Sequence, residues 1–148
     1  MIYADASFLV SLCLSDVNSP KAVATMKRQA TPITLTSIQK HELRNALRRA
    51  VWRTRNEPSP VTVAEATGAL ARSEARITSG EFIEHPLSWS QTMNEAERIG
   101  ALHTMTLGVR GVDLLNVAAA VAIGAKTFLT FDTRQRAVAK ACGLVVGP

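Results

Sequence analysis

The chain has 148 residues, 47% of them apolar and only 5% aromatic, enough for one folded domain whose core is built from Ala, Val, Leu and Ile rather than from rings. Net charge is +5, and the whole excess lies in one stretch: Lys40, Arg44, Arg48, Arg49, Arg53 and Arg55 stand against the single anion Glu42, and the rest of the chain is balanced. Such concentration is a footprint for polyanion binding, whereas the longest apolar run, Val117 to Ala125, falls well short of the ~20 residues that span a bilayer.

The composition therefore predicts a single domain over residues 1–148 with no membrane contact. The first cation is Lys21, so no basic leader region is expected. Cys13 and Cys142 sit among apolar neighbours without CxxC or His/Cys metal spacing, which predicts reduced thiols and a cytoplasmic location.

In chain order, Ile2-Tyr3-Ala4 predicts a short buried strand that ends on Asp5, and an apolar pattern resumes from Phe8 to Leu14. Lys21 to Gln29 reads as a helix opened by Ser19-Pro20, and Ile33 to Thr36 as a second strand. Thr36-Ser37 caps a helix running from Ile38 to about Arg55, with Leu43, Ala46, Leu47, Ala50 and Val51 at helical spacing and Glu42 at the border of that stripe. Pro58 and Pro60 break it. Val61 to Ile77 is helical, Phe82 to Leu87 is a third strand or an extended connection, and Ser88 to Leu102 is an amphipathic helix. Thr104 to Gly111, with two glycines, reads as loop. Val112 to Ile123 is apolar nearly all round, a buried helix interrupted only by Asp113 and Asn116. Thr127 to Phe131 is a strand that ends on Asp132, and a helix from Thr133 to Cys142 and a last strand, Leu144 to Val146, follow. Residues 56–97 hold seven anions and two cations, an acidic region open to use as an arm for an oligomer or partner.

Strands alternating with helices predict a parallel sheet covered on both faces, a three-layer α/β/α sandwich. Asp5 and Asp132 both follow strands and so share the carboxyl-end rim of the sheet, where ligand sites form. Glu42 and Asp113 lie early in helices whose amino ends can face the same rim. Two like charges ~4 Å apart repel by about 4 kcal/mol at an effective dielectric near 20, so four carboxylates converge only with protons or cations among them. Oxygen ligands without His or Cys select Mg²⁺ or Mn²⁺, and such an ion with open positions suits phosphodiester hydrolysis.

Asp5-Ala6-Ser7, Glu42-Leu43, Asp113-Leu114-Leu115-Asn116-Val117-Ala118-Ala119-Ala120 and Thr130-Phe131-Asp132-Thr133-Arg134, in that order, resemble the PIN domain, and most of all the VapC-type toxins of type II toxin-antitoxin modules. The resemblance runs the full chain and is most specific in its final 40 residues. It implies a metal-dependent endoribonuclease, a homodimer, and inhibition by a small antitoxin. Carried over by position, Asp5, Glu42, Asp113 and Asp132 would be the catalytic, Mg²⁺- or Mn²⁺-holding acids, with Ser7 and Thr130 as hydroxyl partners. Asn116 stands where some relatives carry a further acid, and is expected to support the ligands by hydrogen bonding. RNA contacts are expected from Arg44, Arg48 and Arg55, read as one helix face shared with Glu42, and from Arg110 and Arg134.

The alternatives are a non-catalytic RNA-binding module or another Mg²⁺-dependent phosphoryl-transfer enzyme. A haloacid-dehalogenase-type phosphatase needs a second Asp where Ser7 stands, a response-regulator receiver needs paired acids near the amino end and a late lysine, and a decayed site would not keep all four acids.

Overall fold

Three-residue runs supply the strands: β1 (Ile2–Ala4), β2 (Ile33–Leu35), β3 (Phe82–Glu84), β4 (Thr127–Leu129) and β5 (Val145–Gly147). The computed structural model describes Met1–Pro148, and between these strands it has helices α1 (Ala6–Cys13), α2 (Ser19–Arg28), α3 (Ser37–Thr54), α4 (Val63–Thr78), α5 (Trp89–Leu107), α6 (Gly111–Ala122) and α7 (Thr133–Ala141). All strand pairs are parallel, in the order β3-β2-β1-β4-β5.

Ile2 stands opposite Ile33 on one side and Thr127 on the other, and this register sorts the side chains by alternation. Ile2, Ala4, Ile33, Leu35 and Leu129 point to one face, where Phe8, Leu9, Ala22, Leu43, Leu47 and Ala69 of α1–α4 cover them. Tyr3 and Phe128 point to the other, their rings stacked with centroids 5.5 Å apart, beneath Ile99, Val117 to Ala120 and Val138 of α5–α7. Burying a Leu or Phe of this kind contributes roughly 1.5–3 kcal/mol. The outcome is the three-layer sandwich expected from the alternation of elements.

The chain builds outward from β1 through β2 to β3, then returns to place β4 on the far side of β1. Right-handed crossovers put the helices of the two halves on opposite faces. Strand order therefore reverses between β1 and β4, and the connections leaving their carboxyl ends part to leave a crevice. Gln39 ties α3 to this place. Its Nε2 donates to Ala4 O at 2.8 Å and Thr34 O at 3.0 Å, and its Oε1 accepts the Thr36 N–H, so one buried amide links the start of α3 to β1 and β2.

Several expectations are corrected. Helix α5 runs through Thr104–Leu107, read above as loop, because nothing breaks it before Gly108, whose φ of +60° ends it with its N–H on Thr104 O. β3 stops at Glu84, ahead of Pro86, and β4 stops at Leu129, ahead of a bend at Phe131. The acidic region holds no projecting arm: α4 lies on the domain body, Arg72 donating to Cys13 O and Arg76 to Leu12 O, with Ala69 in the core. Both cysteines are free, and no helix is long and apolar enough to cross a membrane.

Candidate active site

Asp5 ends β1 and caps α1, with Oδ1 accepting the Phe8 N–H at 3.0 Å. Capping leaves its second oxygen to be accounted for. Ser7 Oγ donates to Oδ1 at 2.7 Å and Thr130 Oγ1 donates to Oδ2 at 2.7 Å, so both oxygens of a side chain with 0% exposure are held. The two hydroxyls are themselves fixed, Ser7 Oγ accepting the Phe131 N–H at 2.9 Å and Thr130 Oγ1 the Asp132 N–H at 2.8 Å. Burial nevertheless dominates. It pushes the Asp5 carboxyl up to about 6, against the lowering by Ser7, Thr130 and the Phe8 N–H, and the charge of Asp132 adds to the rise.

Asp132, three residues beyond the end of β4, caps α7, its Oδ1 accepting the N–H groups of Arg134 at 2.8 Å and Gln135 at 2.9 Å. Asp113 lies in the first turn of α6, where the helix dipole favours an anion. Gln135 Nε2 reaches Asp113 Oδ1 at 3.3 Å, so one residue of α7 touches both acids. Burial and the Asp132 charge raise the Asp113 carboxyl, while Arg110 and Arg134 oppose the rise. Both arginines therefore lie near enough to Asp113 to act on its charge.

Glu42, in α3, meets Asn116 of α6 across 74 residues of sequence, the amide Nδ2 donating to Oε2. Burial raises the Glu42 carboxyl, Asn116 lowers it, and Asp5 and Asp113 raise it further. Asn116 is held in turn: Tyr3 Oη donates to its Oδ1 at 2.9 Å, and its Nδ2 also reaches Val112 O at 3.3 Å. Tyr3 is wholly buried, and burial raises its phenol far out of the titrating range. The structure thus gathers Asp5, Glu42, Asp113 and Asp132 with Ser7, Asn116 and Thr130 at the β1/β4 reversal.

None of the four acids is in an ion pair; the ion pairs are Lys40–Glu84, Arg44–Glu74, Arg76–Glu81 and Arg98–Glu95. A chain with cations in excess has left this one cluster uncompensated, and all its donors are oxygens, which fits a hard divalent cation. The side chains as they stand do not close round one point: no three acids, histidines or cysteines are near enough together to hold a single ion. The reason is local, since Asp5 and Asp132 are turned into the helices they cap and Glu42 is held to Asn116.

The basic helix requires a correction. At about 100° per residue, Arg44, Arg48 and Arg55 lie some 120–160° round the helix from Glu42. Arg44 is paired with Glu74 of α4, Arg55 lies over the Trp52 ring at 4.1 Å, and Arg48 is exposed. The positions in phase with Glu42 are Ala46, Arg49 and Arg53. Arg49 and Arg53 line a groove with Ser7 and were missed, although the helical arithmetic was available in the sequence. Tyr3 was missed as well; its signal is that a tyrosine in a buried strand must find a partner for its hydroxyl.

The PIN domain family model matches residues 2–141. The chain belongs to the PIN domain family. Solved structures agree with this PIN fold. The VapC20 toxin of Mycobacterium tuberculosis, described as cleaving the sarcin-ricin loop, superposes with a TM-score of 0.68 at 16% identity, covering 98% of this chain and 97% of its own. FitAcB from Neisseria gonorrhoeae gives 0.64 at 16% identity, covering 100% and 97%. Sequence comparison with curated proteins gives no match. At such identities the PIN structures testify to the fold, and the chemistry rests on the side chains just described.

Proposed function

We propose that residues 1–148 form one metal-dependent endoribonuclease domain, the toxin of a toxin-antitoxin pair, hydrolysing RNA phosphodiesters at the β1/β4 rim in the cytoplasm. The observation that carries this reading is the uncompensated cluster itself. Four acids from four separate segments of a PIN domain meet at the strand-order reversal with none of them in an ion pair, three of them with carboxyls raised by burial and by one another.

Asp5, Glu42, Asp113 and Asp132 would hold Mg²⁺ or Mn²⁺, which when bound neutralises phosphate charge and makes water a stronger nucleophile near neutral pH. The chain's own contribution is orientation. Ser7 and Thr130 fix Asp5, Asn116 fixes Glu42, and Gln135 spans Asp113 and Asp132. Arg110 and Arg134 supply positive charge beside Asp113 for an entering phosphate backbone.

The similarity to VapC20, described as a toxin that cleaves the sarcin-ricin loop, supports RNA as substrate, and the toxin neighbours support an antitoxin partner. A homodimer fits the apolar face that α5 and α6 leave exposed at Trp89, Met93 and Val112; light scattering at micromolar concentration should give twice the chain mass. The function is tested by brief expression followed by mapping of new 5′ ends in total RNA. Discrete ends are expected with the wild type and none with Asp113→Asn. Identical end profiles for the two would remove the nuclease reading.

A further inference from the structure

The arginines of α3 are alike in sequence and differ in their surroundings. Arg44 is neutralised by Glu74 and Arg55 stacks on Trp52. Arg49 and Arg53 are exposed, have no ion pair, and share a groove of about 320 Å³ with Ser7, Val10, Ala46 and Asp16, between α3 and the turn that joins α1 to α2.

Ser7, which lines this groove, is also a residue of the acidic site, since its Oγ is bonded to Asp5. Asp16, the sole acid on the groove wall, is engaged within its own turn: Oδ2 accepts Ser11 Oγ at 2.8 Å, and Oδ1 accepts the Asn18 N–H at 2.9 Å and Ser19 Oγ at 3.1 Å. It approaches neither arginine closely enough to pair. α3 also presents Ala46 and Ala50 to the groove, and no aromatic ring lines it on which a base could stack. Arg49 and Arg53 are one helical turn apart, about 6 Å along the axis. A guanidinium presents a fork of donors suited to phosphate oxygens.

We infer that this groove is a phosphate-binding subsite for single-stranded RNA, with Arg49 and Arg53 each holding one backbone phosphate beside the phosphodiester at the carboxylate rim. The inference rests on the nuclease reading above and adds to it the path of the strand: along the Glu42 face of α3, away from Arg44, Arg48 and Arg55. Contacts of this kind position a strand without reading its bases.

The test is the salt dependence of binding of a fluorescein-labelled dodecauridine to the full chain, followed by anisotropy in EDTA, where metal-dependent cutting does not interfere. Each phosphate neutralised on a single strand contributes ~0.7 to the slope of log affinity against log salt. Arg49→Ala with Arg53→Ala is expected to flatten the slope by roughly 1.4, while Arg44→Ala with Arg48→Ala leaves it unchanged. Arg49→Lys with Arg53→Lys, which keeps both charges, retains the wild-type slope.

The groove assignment is overturned if the 49/53 alanine pair has the wild-type slope, if the 44/48 pair carries the loss instead, or if the wild type does not bind the oligonucleotide. A 49/53 variant that binds RNA normally and loses a poly-glutamate peptide overturns it in favour of an acidic protein segment. The nuclease reading is judged separately by end mapping. Cut RNA with an unchanged slope removes the groove alone, and a flattened slope without cut RNA removes the nuclease alone.

Discussion

Asp5, directly after β1, and Asp132, three residues after β4, both cap the helices that follow, yet their surroundings are opposite. Asp132 is half-buried and does what a cap requires, one oxygen accepting two free backbone N–H groups. Asp5 is wholly buried, and two hydroxyls from separate segments hold both its oxygens although burial works against its charge. A cap does not need the second hydroxyl or the burial. The β1 end is therefore organised around the orientation of a carboxylate, whereas Asp132, beyond β4, serves α7 and the acidic cluster together.

The sharpest way to break this comparison is to remove charge while keeping shape. Asp5→Asn and Asp113→Asn should each lower RNA cleavage on the order of 10²–10³-fold, the cost of deleting a principal electrostatic group from an active site. A wild-type rate in one of these variants, measured on an RNA of mapped cleavage position, would leave that acid with a structural role alone.

Stability should move the other way. The folded-state pKa of Asp5, about 6, lies above its ordinary value of 3.8. The folded protein therefore keeps a proton that the unfolded chain releases, and stability falls as pH rises from 3.8 to about 6 and is not regained above it. Asp5→Asn removes this dependence and should stabilise the metal-free protein at pH 7.5 by up to about 3 kcal/mol, at 1.36 kcal/mol per pKa unit. Urea melts in EDTA at pH 4, 5, 6 and 7.5 measure it. A variant less stable than wild type at every pH would show that its hydrogen bonds outweigh the buried charge.

A smaller effect is expected one contact further out. Asn116→Ala releases Glu42 and leaves the Tyr3 hydroxyl without its acceptor, and should lower activity roughly 10- to 100-fold, the usual range for a group that orients a ligand. Tyr3→Phe should show the same defect in weaker form, with no change in the pH profile. The smallest change should come from Asp132→Ala in the metal-free protein. Loss of the α7 cap costs about 1 kcal/mol, partly offset by relief of repulsion toward Asp5 and Asp113. A loss of several kcal/mol there would erase the distinction between the two strand ends.

Asp5, Asp113 and Asp132 were legible because each ends or opens an apolar run, and Glu42 because it borders the apolar stripe of its helix; the alternation of elements alone fixes which rim of a parallel sheet the strand ends occupy. The Tyr3–Asn116–Glu42 connection was not, since it requires β1 to lie beneath α6 with 113 residues between the partners. The arginine face was misread for a different reason. Spacing by four and seven was matched among the arginines themselves and not against Glu42, and the ion pair from Arg44 to Glu74 depends on how α4 folds back after the proline break. The length of α5 was concealed by Gly108 and Gly111, which mark the end of one helix and the start of the next rather than a loop as long as the one expected.

The central claim is that the acids at the β1/β4 rim form a divalent-cation site that cuts RNA. Purified protein, stripped with EDTA and incubated with an RNA containing a mapped site, tests it most directly when Mg²⁺ or Mn²⁺ is then restored. The account predicts no cleavage in EDTA, cleavage at the mapped site on restoring either ion, and none by Asp113→Asn under any condition. Undiminished cleavage by the stripped protein, or by Asp113→Asn at the wild-type rate, would contradict it.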